Sequence, residues 1–418
     1  MLPPDALERR VRGRLRALAD DGLLRTLRPP AGVDLSSNDY LGLARHPTVT
    51  ARMAAAVEAD GAGSTGSRLL RGERDAFAAI ERRFAAFKGT EASLYFSSGY
   101  LANLAVLTTF AEAGDLILSD ALNHASLIDG IRLSGAPRAV VPHADVPALA
   151  ARLAAHRGDG QVFVVTESLF SMDGDEAPLA ALVDTCRAHG AHLIVDEAHA
   201  VGVRGRRGSG LLEETGTTEG TLLSINTGGK ALGVSGAFVA GPAWAIQYLV
   251  QRARPFIFST APPPAVAAAL DAALDVVEEE PGRRARLDAK ARRMRARLTE
   301  AGARVPVGVS QVVPVLIGEN DCAVAVAETL QGQGFDVRAI RPPTVPSGTA
   351  RLRVSVNVGL SDDTIDAFAA AVGRALAAHG VSCASTGVDR RAGSRAGSHV
   401  ESRVESRAEQ TPEERDGC

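Results

Sequence analysis

From Val33 to about Leu270, short apolar runs alternate with stretches of helical period. The runs are Ala92–Phe96, Leu116–Ser119, Val162–Thr166, Leu193–Asp196, Leu222–Ile225 and Ala237–Ala240; the helical stretches include Ala51–Asp60, Phe77–Phe87, Leu101–Phe110 and Leu179–Ala188. Runs that are apolar at nearly every position predict strands buried on both faces. Their alternation with helices predicts a largely parallel α/β sheet covered on both sides. Ahead of it, Leu7, Val11, Leu15 and Leu18 recur at helical spacing and predict a basic helical arm over 5–28, ended by Pro29-Pro30. Pro262–Pro264 and a long Ala/Arg/Glu-rich helical region over 265–302 mark a boundary. Beyond it, strands near Val312–Ile317, Val337–Arg341 and Arg351–Val356 and helices near Cys322–Gln331 and Asp363–Ala377 predict a smaller α+β unit. The division expected is an arm (1–32), a large α/β domain (33–270), a small α+β domain (271–381) and a disordered tail (382–418). The tail is rich in Arg, Ser, Gly and Glu, lacks Leu, Ile and Phe, and cannot repay its ordering entropy.

Composition narrows the function classes. The chain has 418 residues, 45% hydrophobic and 23% charged, with a formal net charge of −3. That balance is globular, and it carries no global positive field to draw in nucleic acid or an anionic membrane. The four cysteines, Cys186, Cys322, Cys383 and Cys418, form no C-x-x-C pair, so no metal and no disulfide framework is expected. Met1–Arg10 has no apolar core of a signal peptide, and the Ala-rich stretch from Ala261 is interrupted by prolines and Asp271. The expectation is a cytoplasmic protein.

Two motifs mislead. Gly61-Ala-Gly-Ser-Thr-Gly66 matches G-x-G-x-x-G, but a helical stretch precedes it instead of a strand. Asp196-Glu-Ala-His199 spells a helicase box, yet no phosphate loop accompanies it, and Gly228-Gly-Lys230 is followed by Ala231 instead of a hydroxyl.

The chemistry lies at the carboxyl ends of predicted strands, where open α/β sheets bind ligands. Asp196 ends one strand with His199 three residues on, although a capping Asp and a satisfied His would look the same. Lys230 follows a strand and a Gly pair, where a desolvated lysine can form a Schiff base and an ordinary one snorkels to solvent. Ser97-Ser-Gly99-Tyr100 leads into a helix whose N-terminal amides suit a phosphate, or are simply capped by Ser98. Glu167 to Asp175 ends a fourth strand with carboxylates and hydroxyls, a set that a solvated turn would also show. Each signal alone is weak. Together they supply what pyridoxal phosphate requires: an amine for the aldehyde, a carboxylate for the ring nitrogen, a phosphate cradle and a flat group for the ring face, for which His124 is the candidate.

The sequence resembles the α-oxoamine synthases, which are fold-type-I pyridoxal-phosphate transferases of the aspartate aminotransferase type. The resemblance covers roughly 5–380. It rests on Ser36-Ser-Asn-Asp-Tyr-Leu-Gly-Leu43, Gly63-Ser-Thr-Gly-Ser-Arg68, Phe96-Ser-Ser-Gly-Tyr-Leu-Ala-Asn103, Asn123-His-Ala-Ser-Leu127, Val165-Thr-Glu167 with Phe170-Ser-Met-Asp-Gly-Asp175, Val195-Asp-Glu-Ala-His199, Lys230-Ala-Leu-Gly233 and Ile340-Arg-Pro-Pro-Thr-Val-Pro346. The last segment is most similar to the branch that forms 8-amino-7-oxononanoate for biotin.

The resemblance implies a PLP-dependent acyltransferase, a homodimer with shared active sites that condenses L-alanine with pimeloyl-CoA or a pimeloyl-acyl carrier protein. It implies that Lys230 holds the cofactor and moves the Cα proton, that Asp196 pairs with the ring nitrogen, and that His124 stacks on the ring. Gly99, Tyr100 and Thr227 would bind the phosphate, His199 and Ser171 the phenolic oxygen region, and Glu167 would line the cofactor. Ser259 and Thr260 would reach the neighbouring subunit's phosphate. Arg25, Asn38, His124, Thr344 and Arg353 would meet substrate, with Arg351 as the alternative to Arg353 because both point to one face of a strand. The chain departs from the family pattern at Gly228-Gly229, at Ala200 after His199 and at Ser168. Other readings of the same motifs are 5-aminolevulinate synthase, 2-amino-3-oxobutyrate:CoA ligase, serine palmitoyltransferase or, in a different class, a non-catalytic PLP-binding scaffold.

Overall fold

The computed structural model describes residues 5–381. The expectation for 382–418 lies outside the described residues. Among these, the strands are β1 Val33–Asp34, β2 Ala92–Phe96, β3 Leu116–Asp120, β4 Arg138–Val141, β5 Val162–Glu167, β6 His192–Asp196, β7 Leu223–Thr227, β8 Ala237–Gly241, β9 Val312–Gly318, β10 Phe335–Asp336, β11 Ala339–Ile340 and β12 Ala350–Ser355.

Seven of them form one sheet in the order β2-β8-β7-β6-β5-β3-β4. All pairs are parallel except those of β8, which runs against β2 and β7. The continuous apolar runs now have a cause. Successive side chains on a strand point to opposite faces. Val162, Val164, Leu193, Val195, Phe238 and Ala240 enter one apolar cluster. Phe163, Val165, Ile194, Ala237 and Val239 enter the other. Helices Leu179–His189 and Asp75–Lys88 close the first face, and helices Gly99–Phe110 and Ala243–Arg252 close the second. Phe84 stacks on Phe238 with ring centroids 4.0 Å apart.

The C-terminal part is built on an antiparallel sheet, β11-β12-β9, with helix Asn320–Gly332 against it and helix Asp362–Ala378 packed on Asn320–Gly332 and Gly282–Glu300. The N-terminal segment belongs to this part of the structure. β1 pairs with β10. Ser355 N–H then donates to Leu35 O (2.8 Å), and Val358 N–H to Tyr40 O (3.0 Å).

Three elements differ from the sequence reading. The arm helix spans Ala6–Asp20, not 5–28, because Gly22 adopts φ +64° and Leu23 N–H turns back to Leu18 O. The helical region 265–302 divides into Pro264–Glu279 and Gly282–Glu300, since Pro281 cannot continue the first helix. The strand expected at 337–341 shortens to Ala339–Ile340 ahead of Pro342-Pro343. No described helix is long and apolar enough to cross a membrane.

Beneath the large sheet lies a buried ion pair. Lys88, the last residue of its helix, reaches Glu197 and the Ser209 carbonyl, and Glu197 also accepts Leu212 N–H at 3.0 Å. Both side chains are essentially inaccessible. Removing one partner strands the other charge, so Lys88→Ala should cost about 3–5 kcal/mol, whereas Lys88→Met with Glu197→Leu should recover most of it. Urea unfolding of the two variants checks this; equal losses would mean that the pair is not what holds the turn.

Candidate active site

Five parallel-strand ends and three loops converge on one amine. Lys230 sits half-buried in the turn between β7 and β8. Gly233 makes that turn possible: its φ is +67°, and a Cβ there would collide with the backbone of Leu43 and Ala44. The turn is thereby pressed against the segment that carries Asn38 and Tyr40.

A chain of polar contacts starts at the amine. Lys230 Nζ is 2.7 Å from His199 Nε2, and His199 Nδ1 is 2.7 Å from the Tyr40 hydroxyl. The Tyr40 hydroxyl also reaches Asn38 Oδ1 at 2.9 Å. Arg353 donates to Asn38 Oδ1 (3.1 Å), the Tyr40 oxygen (3.2 Å), the Ser171 carbonyl (2.6 Å) and Ser355 Oγ (2.7 Å). Gln311 Nε2 holds the His199 carbonyl at 2.8 Å. Burial first, then the Lys230 and Arg353 charges, keep His199 well below its ordinary pKa, hence neutral.

A second chain holds the carboxylate. Asp196 ends β6, with Oδ1 taking Ala198 N–H (2.9 Å) and Oδ2 taking Asn103 Nδ2 (2.7 Å). Asn103 also donates to Ser126 Oγ (2.9 Å), which lies 2.7 Å from His124 Nδ1. Ser126 N–H donates to the same Nδ1 at 3.3 Å. A ring nitrogen that accepts carries no proton, so neutral His124 is the Nε2–H tautomer. Burial, the largest cause, keeps its pKa low.

Glu167 is the register partner of Asp196 on the neighbouring strand. It is buried, takes the His124 and Ser171 backbone N–H groups, and leaves Oε1 without a partner. Burial, and next the Asp196 charge, push its pKa up to about 8. Burial likewise pulls Lys230 down to about 8, against the opposing pull of Asp196 and Glu167.

A helix N-terminus that suits an anion lies at the same sheet edge. Ser98 caps helix Gly99–Phe110 by accepting Leu101 N–H at 3.3 Å. The Gly99 and Tyr100 amides belong to the first turn, whose N–H groups have no partner within a helix. A Cβ on Gly99 would lie 3.7 Å from the Thr227 side chain, and Thr227 Oγ1 accepts Gly229 N–H at 3.2 Å. A desolvated amine, a hydrogen-bonded carboxylate, an unpartnered buried carboxyl oxygen and free amides beside a hydroxyl fit the donor set for a phosphorylated pyridine aldehyde. Among the described residues, no cluster of His, Cys, Asp and Glu could hold a metal ion.

The chain matches the family described as aminotransferase class I and II over residues 30–372. It is 45% identical over 383 residues to an 8-amino-7-oxononanoate synthase of Geobacter sulfurreducens, covering 88% of this chain and 98% of that one. It is 48% identical over 376 residues to the enzyme of the same name from Anaeromyxobacter dehalogenans, covering 87% and 94%. The chain belongs to the class I and II aminotransferase family, within its α-oxoamine synthases. Among solved structures it is similar to serine palmitoyltransferase of Sphingomonas wittichii (TM-score 0.84, 31% identity, 90% of this chain and 100% of that one). It is also similar to 8-amino-7-oxononanoate synthase of Francisella tularensis (TM-score 0.73, 27% identity, 84% and 99%). The mostly parallel sheet with helices on both faces is the fold-type-I architecture that the motifs lead one to expect.

The structure therefore gathers Lys230, His199, Asp196, Glu167, His124, Asn38, Arg353, Ser171, Thr227 and Gly99 at one sheet edge. It separates the two arginines: Arg351 is tied to Asp173 Oδ1 (2.5 Å) and the Thr349 carbonyl (3.0 Å), away from the chain that starts at Lys230. Arg25 and Thr344 meet each other at 3.5 Å in a separate groove of about 460 Å³, lined also by Arg28, Arg338 and Arg341. The Tyr100 side chain is directed to Asp129, so only its backbone serves that helix N-terminus. Ser259 and Thr260 lie on the surface, Thr260 bridged to Ser67. The sequence reading passed over Tyr40, Asn103, Ser126 and Gln311. Three of them stand inside the quoted motifs, where a polar side chain amid apolar neighbours was the available signal.

A lysine with a depressed pKa is a free amine at lower pH than an ordinary one. Competitive acetylation of the cofactor-stripped chain should titrate Lys230 with a midpoint near pH 8, against ~10.4 for an unperturbed lysine. A midpoint at the unperturbed value would show that the amine is solvated.

Proposed function

We propose that this chain catalyses the PLP-dependent condensation of L-alanine with a pimeloyl thioester, releasing CO2 and the free thiol and giving 8-amino-7-oxononanoate for biotin synthesis. One observation carries the mechanism: a half-buried amine of lowered pKa, Lys230, in hydrogen-bond contact with neutral His199 on the sheet edge that bears Asp196. The relatives at 45% and 48% identity carry the choice of product. A neighbouring serine palmitoyltransferase structure holds PLP, and the residues here fit the same group.

Pyridoxal phosphate, when bound, supplies the electron sink for negative charge at the amino-acid Cα. Lys230 would hold its aldehyde carbon, and would remove and return a proton at the amino-acid Cα; a pKa near 8 suits both directions at neutral pH. Asp196, fixed by Asn103 and Ala198 N–H, keeps the proton on the ring nitrogen. His124, neutral and locked as the Nε2–H tautomer, covers the ring and presents a donor. Gly99, Tyr100 and Thr227 hold the phosphate, and Ser171 and His199 the phenolic side. Arg353 takes the amino-acid carboxylate in its planar fork, with Asn38 beside it. Arg25 and Thr344 line the approach of the acyl chain.

The working form we infer is a cytoplasmic homodimer. Phe258 is 72% exposed immediately before Ser259 and Thr260, which suits a segment that completes the phosphate site of a second copy.

Purified enzyme with L-alanine and pimeloyl-CoA, or the pimeloyl-carrier protein, should release thiol and form the amino-ketone, with glycine and L-serine poorer. Lys230→Ala should lower turnover by at least about 10²–10⁴-fold. Retained turnover in that variant, or preference for glycine or serine, would overturn the reading.

A further inference from the structure

Tyr40 is buried completely, yet its hydroxyl has more partners than protons. It carries one hydrogen and faces two acceptors, Asn38 Oδ1 at 2.9 Å and His199 Nδ1 at 2.7 Å. Arg353 already donates to its oxygen. It must therefore choose, and its choice fixes the proton on His199.

Two arrangements satisfy every group. In one, Tyr40 donates to Asn38, His199 donates from Nδ1 to the Tyr40 oxygen, and Nε2 is a bare acceptor for the Lys230 ammonium. In the other, Tyr40 donates to Nδ1, His199 carries its hydrogen on Nε2, and Lys230 is the free amine that accepts it. The second holds one proton fewer, lost from Lys230. Asn38 Oδ1 remains satisfied in both, because Arg353 donates to it throughout. No heavy atom has to move.

We propose that the Tyr40 hydroxyl is the tautomer selector of His199, letting the imidazole face Lys230 as acceptor when the amine is protonated and as donor when it is free. Tyr40 is a positioning residue: it acts through His199. The inference deepens the reading of Lys230 as the base that takes and returns a proton, and rests on it. The exchange is set by every charged or titratable group facing the pair. These are Asp196, Glu167 and Arg353 around Lys230, His124 and Arg353 around His199, and Arg353 with the Gln311 amide around Tyr40. Desolvation brings the Lys230 transition to about pH 8, and it keeps the phenol neutral across that range by raising the Tyr40 pKa.

The test is long-range 15N–1H NMR of the histidine rings on the full, cofactor-stripped chain from pH 6 to 10, with His199 assigned from His199→Asn. Below the Lys230 midpoint His199 should be the Nδ1–H tautomer, and above it the Nε2–H tautomer. Asn38→Ala removes the competing acceptor and should hold the Nε2–H form throughout. Tyr40→Phe keeps the ring packing but removes the choice, and should leave one tautomer at all pH values. In the loaded enzyme Tyr40→Phe should lower kcat by about five- to tenfold, the usual worth of one lost hydrogen bond, with KM for L-alanine little changed. One unchanging tautomer in the parent chain, or a parent-like transition in Tyr40→Phe, overturns the proposal. The NMR result stands whether or not the condensation is observed, so the two readings fail separately.

Discussion

Two carboxylates side by side in a protein interior cannot both stay ionised unless something on the same edge compensates them. Parallel register forces this situation here, because Glu167 and Asp196 end adjacent strands opposite one another. The structure resolves it asymmetrically. Both Asp196 oxygens are held, by Ala198 N–H and Asn103, whereas Glu167 takes its backbone N–H groups on one oxygen and leaves Oε1 without a partner. Hydrogen bonds fix the first carboxylate in place, and burial pushes the second toward neutrality. Asp196 is therefore the better-held of the two acids. Lys230 sits between, depressed by burial and supported by both acids. The rest of the site is arranged around that balance.

The second requirement is that the two parts of the chain close on one another. β1 pairs with β10, far along the sequence, and the Leu35 and Tyr40 carbonyls accept from Ser355 and Val358. The Ser36–Leu43 segment is thus stitched to β12, which carries Arg353. Its other side is pressed by Gly233 in the Lys230 turn. A loop near the N-terminus becomes the wall between Lys230 and Arg353. Strain or slack in this seam would change the Lys230–His199–Tyr40 geometry without touching any of the three.

Much of this was legible in the sequence. The six apolar runs mark strands because each is buried on both faces, and the polar groups at their ends mark the site because parallel strands deliver them to one edge. Less legible was anything set by long-range closure. The edge strand β4, Arg138–Val141, carries an exposed arginine and an exposed valine and lacks the apolar signature of the central strands. The choice between Arg351 and Arg353 cannot come from alternation, since both share a face; it comes from Asp173, which captures one, and Tyr40, which meets the other. Tyr40 and Asn103 act on His199 and Asp196 from 159 and 93 residues away in sequence, so no local pattern could assign them partners.

The same closure separates chemistry from selectivity. The chain is similar to serine palmitoyltransferases in structure and is far more identical to 8-amino-7-oxononanoate synthases in sequence. A fold shared at a TM-score of 0.84 and 31% identity fixes the edge where Lys230 and Asp196 stand. It does not fix what lines the approach. There, Arg25 and Thr344 touch across a groove between residues 23–28 and 338–344, with helix Asn320–Gly332 as a further wall; apart from two residues of β11, the first two segments are neither strand nor helix. Irregular segments can change side chains without disturbing a register, whereas the strand ends cannot. On the function proposed above, discrimination among acyl chains would fall to that groove and the proton chemistry to the sheet edge.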